Sequence, residues 1–273
     1  MTTVQFRAAE AQVPSLATRA RDVVAFEWTK LRSIRSTYIT VLIAAAVTIG
    51  ATVIVGHAFA SAGAHKPLPG GFSTTVASFL AYAEYTVIPV SVLALLQFTS
   101  EYGTGLIRTT FAAVPRRWAL LAGKAVVVGV AALAIGEVLA FACFAIVQAL
   151  LSGSHGGLSL AHPGVIGAVL AGGFVLCACA LTALALGAII RHTAGAITAA
   201  LVIMYLVAGL CMVLPSPWKD DIGRFTMAFA ASQVIALHPQ AGLFSPAASM
   251  LVLAAWPAVA LLIAGIVISR RDA

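Results

Sequence analysis

Glu84 and Glu137 are acids set inside long apolar runs, in "YAEYTVIPVSV" and "AIGEVLAF". An ionised carboxylate at the centre of a bilayer costs at least ~2.5 kcal/mol on insertion scales, so such a group faces protein or water, or keeps a proton. The chemistry open to the two acids is that of a cavity lining or a proton site. The other reading is a protonated acid hydrogen-bonded between packed helices. Gln97, and less so Gln148, are polar candidates of the same kind. A proton-coupled carrier often shows paired acids or basic partners in its spans, and inverted repeats. No mid-run Arg or Lys and no clear repeat is seen here.

Other chemistries lack their residues. A phosphate-cradling loop needs G-x-x-x-x-G-K-[ST]. The only Gly-Lys pair is Gly123–Lys124, with Ala125 after it and Trp118 where the first glycine should stand. A catalytic metal needs converging His, Asp or Glu ligands. His57, His65, His155 and His162 fall at or near one set of run ends and His192 at the other, with no H-E-x-x-H. No G-x-S-x-G elbow is present. Cys177 and Cys179 are two apart, on nearly opposite faces of a helix. With Cys143 and Cys211 they read as small apolar filler rather than a disulfide framework. No catalytic residue, metal or cofactor is therefore expected in this chain.

The elements that must hold these residues follow from composition. The 273 residues are 61% hydrophobic and 9% charged, with mean hydropathy +1.03. Soluble chains are roughly a quarter charged, and a spanning helix needs about 20 apolar residues. Six such runs are legible, at about 39–60, 75–98, 120–151, 164–190, 195–214 and 247–269. They are long and unalternating, unlike β-barrel strands. The expected fold is an all-α polytopic membrane protein. No short apolar core with an Ala-x-Ala site precedes the first run, so that run is expected to stay as an uncleaved anchor.

The net charge of +7 reports topology rather than nucleic-acid binding. Arg7, Arg19, Arg21, Lys30, Arg32 and Arg35 precede the first run, and Arg108, Arg116, Arg117 and Lys124 follow the second. Arg191, Arg270 and Arg271 fall on that same side, leaving only Lys66, Lys219 and Arg224 for the other. The positive-inside rule then places both termini in the cytoplasm of a cell-membrane protein, with the basic side against anionic lipid headgroups.

Residues 1–15 read as a disordered N-terminus and 16–38 as an amphipathic helix ahead of a transmembrane domain over 39–273. Leu16, Ala20, Val23, Val24, Trp28, Leu31 and Ile34 recur at helical spacing, as in a helix that lies in the interface or packs on a cytosolic partner. "FTMAFAASQVIALH" is apolar but too short to cross, so a re-entrant or interfacial segment on the outer side is expected before the last span. Gly164, Ala168 and Gly172 recur every four residues, with Gly167 and Ala171 beside them, which suits close packing within one subunit or a dimer seam.

Two stretches carry a resemblance. "FEWTKLRSIRSTYIT" holds Glu27, Trp28, Lys30, Leu31 and Arg35. "TSEYGTGLIRTTFAAVPRRWALLAGK" holds Ser100, Glu101, Gly105 and Arg108, then Pro115, Arg116 and Arg117. With the six-run layout and the outer segment, the chain resembles permease subunits of the ABC-2 type transporter family over nearly its whole length. The resemblance implies a permease that pairs with a second copy, each copy binding a separate cytosolic ATPase that supplies ATP and Mg. It implies that the amphipathic helix is a connecting helix and that the loop after span two is a coupling helix docked on the ATPase. Carried onto this chain, the coupling positions are Glu101, Tyr102, Gly103, Thr104, Gly105, Arg108, Thr109, Pro115, Arg116 and Arg117. Gly103 and Gly105 permit a sharp reversal, "LIRTTFAAV" can form a short amphipathic helix, and Pro115 ends it. Trp118 and Lys124 are expected to anchor span three at the headgroups. The expected function is an exporter permease for an amphipathic, lipid-like, drug or peptide cargo. The rival readings are an ion-coupled secondary transporter and a non-transporting membrane scaffold or sensor.

Overall fold

In the computed structural model, described residues are 16–61, 74–113, 116–151, 160–215, 217–237, 239 and 242–270; the side chains of 16–20, 59–61, 74–84 and 113 lie outside the description. The helices are α1 (Leu16–Ser33), α2 (Arg35–Ser61), α3 (Thr74–Thr104), α4 (Leu106–Ala113) and α5 (Arg117–Leu151). Then come α6 (Val165–Ile190), α7 (Thr193–Leu201), a π turn (Val202–Leu206) and α8 (Val207–Val213). Two short helices, α9 (Trp218–Gly223) and α10 (Met227–Ile235), precede α11 (Pro246–Arg270). Among the described residues there is no strand. Residues 1–15 and the side chains of Leu16 and Ala20 fall outside the description.

Among the described residues, five helices are long and apolar enough to cross a membrane: Arg35–Ala58, Arg117–Leu151, Val165–Ile190, Thr193–Val213 and Pro246–Arg270. The chain is an all-α, multi-pass membrane protein. The remaining expected span coincides with α3, 31 residues long, whose described side chains begin at Tyr85. Apolar side chains on all sides mark a helix for burial or for lipid, and burial sorts the five. The apolar window of α6 is 67% buried, against 22–39% for the others. So α6 is the centre, with α3, α5 and α11 around it. Its small residues account for the close approach: Ala168, Ala171 and Gly172 are buried within this chain, while Gly164 and Gly167 are exposed.

Polar contacts tie α2 to its neighbours inside the bundle. Thr48 and Thr86 share a hydrogen bond of 2.6 Å, and the Thr52 hydroxyl donates to Cys143 Sγ at 3.2 Å. Hydroxyls hydrogen-bonded across helices are a common glue where apolar side chains gain nothing over lipid. α10 has nine residues, about 14 Å of helix, well short of a ~30 Å hydrocarbon core. Thr226 caps it by accepting from the Phe229 N–H at 3.4 Å, and Met227, Ala230 and Ile235 are buried against the bundle. The turn between α6 and α7 is short, from Ile190 to Thr193. Arg191 takes the left-handed conformation (φ 62°), its N–H donating to Gly187 O at 3.1 Å.

Candidate functional site: the basic end of the bundle

α1 and the ends of α3, α5, α6 and α11 come together at one end of the bundle, where α4 packs on α3 and most of the basic residues collect. α3 runs through Gly103 to Thr104, and the reversal falls on Gly105 alone, at φ +76°. That conformation strains any residue with a Cβ, which is why a glycine stands there. α4 then forms over Leu106–Ala113. It turns Ile107 inward (3% exposed) and leaves Leu106, Arg108 and Thr109 exposed. Val114 and Pro115 lie outside the described residues, so the expected stop at Pro115 does too.

The charges divide into two sets. Arg108 and Arg116 are exposed. Arg117 is turned inward: its Nη1 donates to Ile268 O at 2.7 Å, near the end of α11, and its guanidinium lies 5.1 Å from the Phe111 ring. A cation on the last carbonyls of a helix offsets the negative end of its dipole. Arg191 similarly lies 4.9 Å from the ring of Tyr102, which is half-buried. Arg117 and Arg191 therefore join helices rather than face outward.

The second set is a buried ionic cluster. Lys124 Nζ donates to Glu27 Oε2 at 2.8 Å and to Glu101 Oε1 at 2.6 Å. It also stands 5.3 Å from the Phe98 ring centroid. Lys30 Nζ donates to the same Glu101 oxygen. Lys124 is 1% exposed and Glu27 and Glu101 are each 2% exposed, whereas Lys30 keeps 25%. A buried charge costs several kcal/mol unless paired and hydrogen-bonded. Two carboxylates against two ammoniums leave the group formally neutral. The backbone makes room for it. A Cβ on Gly123 would stand 2.6 Å from Val23 Cγ1, so only glycine lets α1 approach α5 closely enough for Glu27 to reach Lys124.

Two expectations are corrected here. Lys124 does not sit at the headgroups, because its ammonium finds two carboxylates inside the protein. Glu101, expected to offer its charge to a partner, is enclosed by Lys124 and Lys30. On α1 the buried positions are Val23 and Glu27, with Lys30 and Leu31 half-buried, and Trp28 of the apolar stripe is 41% exposed. Arg35 is exposed at the start of α2. Sequence reasoning missed Lys124 as a node. The available signal was the spacing of Glu27 and Lys30, three residues apart and so on one helix face, in a chain with few charges to spare.

The mid-bundle candidates are separate from this end. Gln97 is 8% exposed and lines a shallow apolar crevice with Leu31, Val41, Val90, Val128 and Ile135. Glu84 lies on α3, with its side chain outside the described residues. Glu137 lies on α5 with its carboxyl directly over Gly173 of α6, where any Cβ would collide with it. Glu137 Oε2 is buried and has no hydrogen-bond partner among the described residues. The hydrogen bond of the packing reading is thus not seen at that oxygen, although the close fit is. Gly173→Ala should force the carboxyl aside and cost about 1–3 kcal/mol, as overpacking does. Glu137→Ala in the same chain should recover most of the loss in thermal unfolding. No recovery would mean that Gly173 matters for another reason. Among the described residues no group of His, Cys, Asp or Glu is placed to hold a metal ion.

No protein-family model matches this chain, and no curated protein matches it. The reading of the basic end therefore rests on its own geometry.

Proposed function

We propose that this chain is the membrane-embedded permease subunit of an ABC-type exporter, working as a pair with a second copy. Each copy carries a separate cytosolic ATPase that supplies ATP and Mg. Six helices span the cell membrane, α3 among them, with both termini and the basic end in the cytoplasm and α10 at the outer side. The cargo is an amphipathic, lipid-like, drug or peptide molecule moved outward. Glu137 Oε2, buried and without a hydrogen-bond partner among the described residues, favours the ion-coupled secondary transporter as the second reading, because an unpaired acid among spans is a proton-site candidate.

One observation carries the first reading. α4 is a short amphipathic helix on a left-handed glycine turn, offering Leu106, Arg108 and Thr109 outward. Behind it, Glu101 joins α1 and α5 through Lys124, and Arg117 joins α11. A surface helix mounted on an α3 elbow that is itself tied to α1 and α5 suits the transfer of an external push into the bundle. It has no evident use in a bundle that works alone.

The topology has a direct test. In a cysteine-free background, single cysteines at Ser61, Ser154 and Ser216 should react with an impermeant thiol reagent added to intact cells. One at Thr104 should react only after the membrane is opened. Labelling at Thr104 from outside would reverse the orientation and remove the site from the ATPase side. The same layout predicts that Glu137→Gln, if Glu137 only packs, keeps assembly and partner-stimulated ATP hydrolysis. Loss of stimulation in a well-assembled Glu137→Gln protein would move that acid onto the transport path.

A further inference from the structure

The permease reading gives Lys124 no task. A lysine near the end of a spanning helix ordinarily extends along the apolar surface to reach water. Lys124 does the opposite, and is 1% exposed on α5. Its ammonium joins an acid from α1, an acid from the last turn of α3, and the face of Phe98, which is itself 0% exposed. Glu101 stands four residues before Gly105, where the chain turns into α4. Whatever holds Glu101 therefore fixes the base from which α4 departs.

We infer that Lys124 is a positioning residue: with Glu27 and Glu101 it forms an ionic latch that sets the angle between α1 and the α3–α4 elbow. The idea that the latch transmits movement to the spans rests on the permease reading; the latch itself does not. Apolar residues of similar volume would hold the three helices about as firmly, because a buried ion pair gains little over a well-packed apolar contact. What the ions add is direction. Each carboxylate must present an oxygen to one ammonium at hydrogen-bond distance, and that geometry admits one arrangement of the helices. Lys30 reaches the same oxygen of Glu101 from the water side and closes the open edge of the latch. Among the described residues Glu27 Oε1 and Glu101 Oε2 have no hydrogen-bond partner, so Glu27 is held by Lys124 and Glu101 by Lys124 and Lys30.

The test measures the angle without reference to cargo or ATPase. Spin labels are placed at Thr29 on α1 and Thr109 on α4, both exposed, in the full-length, cysteine-free protein in lipid nanodiscs. The distance between them is read by pulsed electron resonance. The wild-type side chains should give one narrow distance. Glu27→Leu with Glu101→Leu and Lys124→Met removes all three charges and leaves no orphan in the core, so the protein should still fold and unfold cooperatively. Its α1–α4 distance should lose the single narrow peak. A narrow peak at the wild-type distance in that variant would overturn the inference, because apolar packing alone would then set the angle. Lys124→Arg keeps both ion pairs and should keep the narrow peak, even if the triple variant fails to assemble. Broadening in Lys124→Arg as severe as in Lys124→Gln would equally overturn it, by showing that the fit of the lysine stem and not its charge is what counts. Failure to find an ATPase partner would remove the permease reading and leave these distances unchanged.

Discussion

Lys124→Met alone should be the most damaging single change at the basic end, costing about 3–5 kcal/mol of stability, as removal of one partner from a buried pair does. The loss comes from what remains. Glu27 is 2% exposed and would have no cation, while Glu101 would depend on Lys30 alone. Thermal unfolding of the detergent-solubilised protein, followed by the fraction that stays monodisperse, reads the effect directly. High salt should not rescue it, because buried charges are screened far less than exposed ones. The contrast with the three-charge replacement is the informative part: the single change strands Glu27 and leaves Glu101 with Lys30 alone, whereas the triple change strands no carboxylate. An unfolding midpoint for Lys124→Met equal to that of the unaltered chain would mean that the acids are solvated and the cluster is not a buried one.

Arg108→Glu with Arg116→Glu should have the second large effect, and on a different property. Both arginines are exposed, so the unfolding midpoint should hardly move. Association with the ATPase should weaken by about 1–2 kcal/mol, roughly tenfold, since each exposed ion pair is worth ~0–1 kcal/mol and reversal adds repulsion. The weakening should shrink as salt rises, because exposed charges are screened over about 10 Å at 0.1 M. Arg117 belongs elsewhere despite lying next to Arg116. Its bond to Ile268 O means that Arg117→Glu should lower the unfolding midpoint at any salt concentration. If Arg108→Glu with Arg116→Glu left association unchanged at low salt, the exposed face of α4 would be a mark of topology only.

The contrast between Arg116 and Arg117 shows where the sequence is legible and where it is not. The apolar runs locate the helices to within a few residues: 164–190 against Val165–Ile190, and 247–269 against Pro246–Arg270. Hydropathy suffices because a bilayer leaves helices as the natural way to satisfy the backbone along such runs. The glycine turn and the short helix after it were also legible, since Gly105 and the pattern of "LIRTTFAA" are local signals. The direction in which each charge points was not. Glu101 beside a Gly-Thr-Gly turn reads as a surface acid, and only the arrival of Lys124 from α5 and Lys30 from α1 turns it inward. Those contacts are long-range in sequence: spacing puts Glu27 and Lys30 on one face of α1, but nothing local says which residues of α3 and α5 they meet. The π turn at Val202–Leu206 within the fifth apolar run had no sequence signal either. Met204 in that turn accepts from the Ser91 hydroxyl of α3 at 3.7 Å, so the irregularity is matched to a neighbour rather than to its own residues.

A permease of the proposed kind requires a separate ATPase. The chain, tagged at its C-terminus, should be isolated from its own cell membranes in mild detergent at low salt and assayed for ATP hydrolysis, with the bound proteins identified and quantified. The prediction is a single ATPase species bearing a nucleotide-binding loop, at one copy per permease chain. It should be retained by Glu137→Gln and depleted from Arg108→Glu with Arg116→Glu. A monodisperse, well-folded chain that brings down no such ATPase at low salt, and whose isolate hydrolyses no ATP, would contradict the permease assignment and leave the ion-coupled transporter as the better reading.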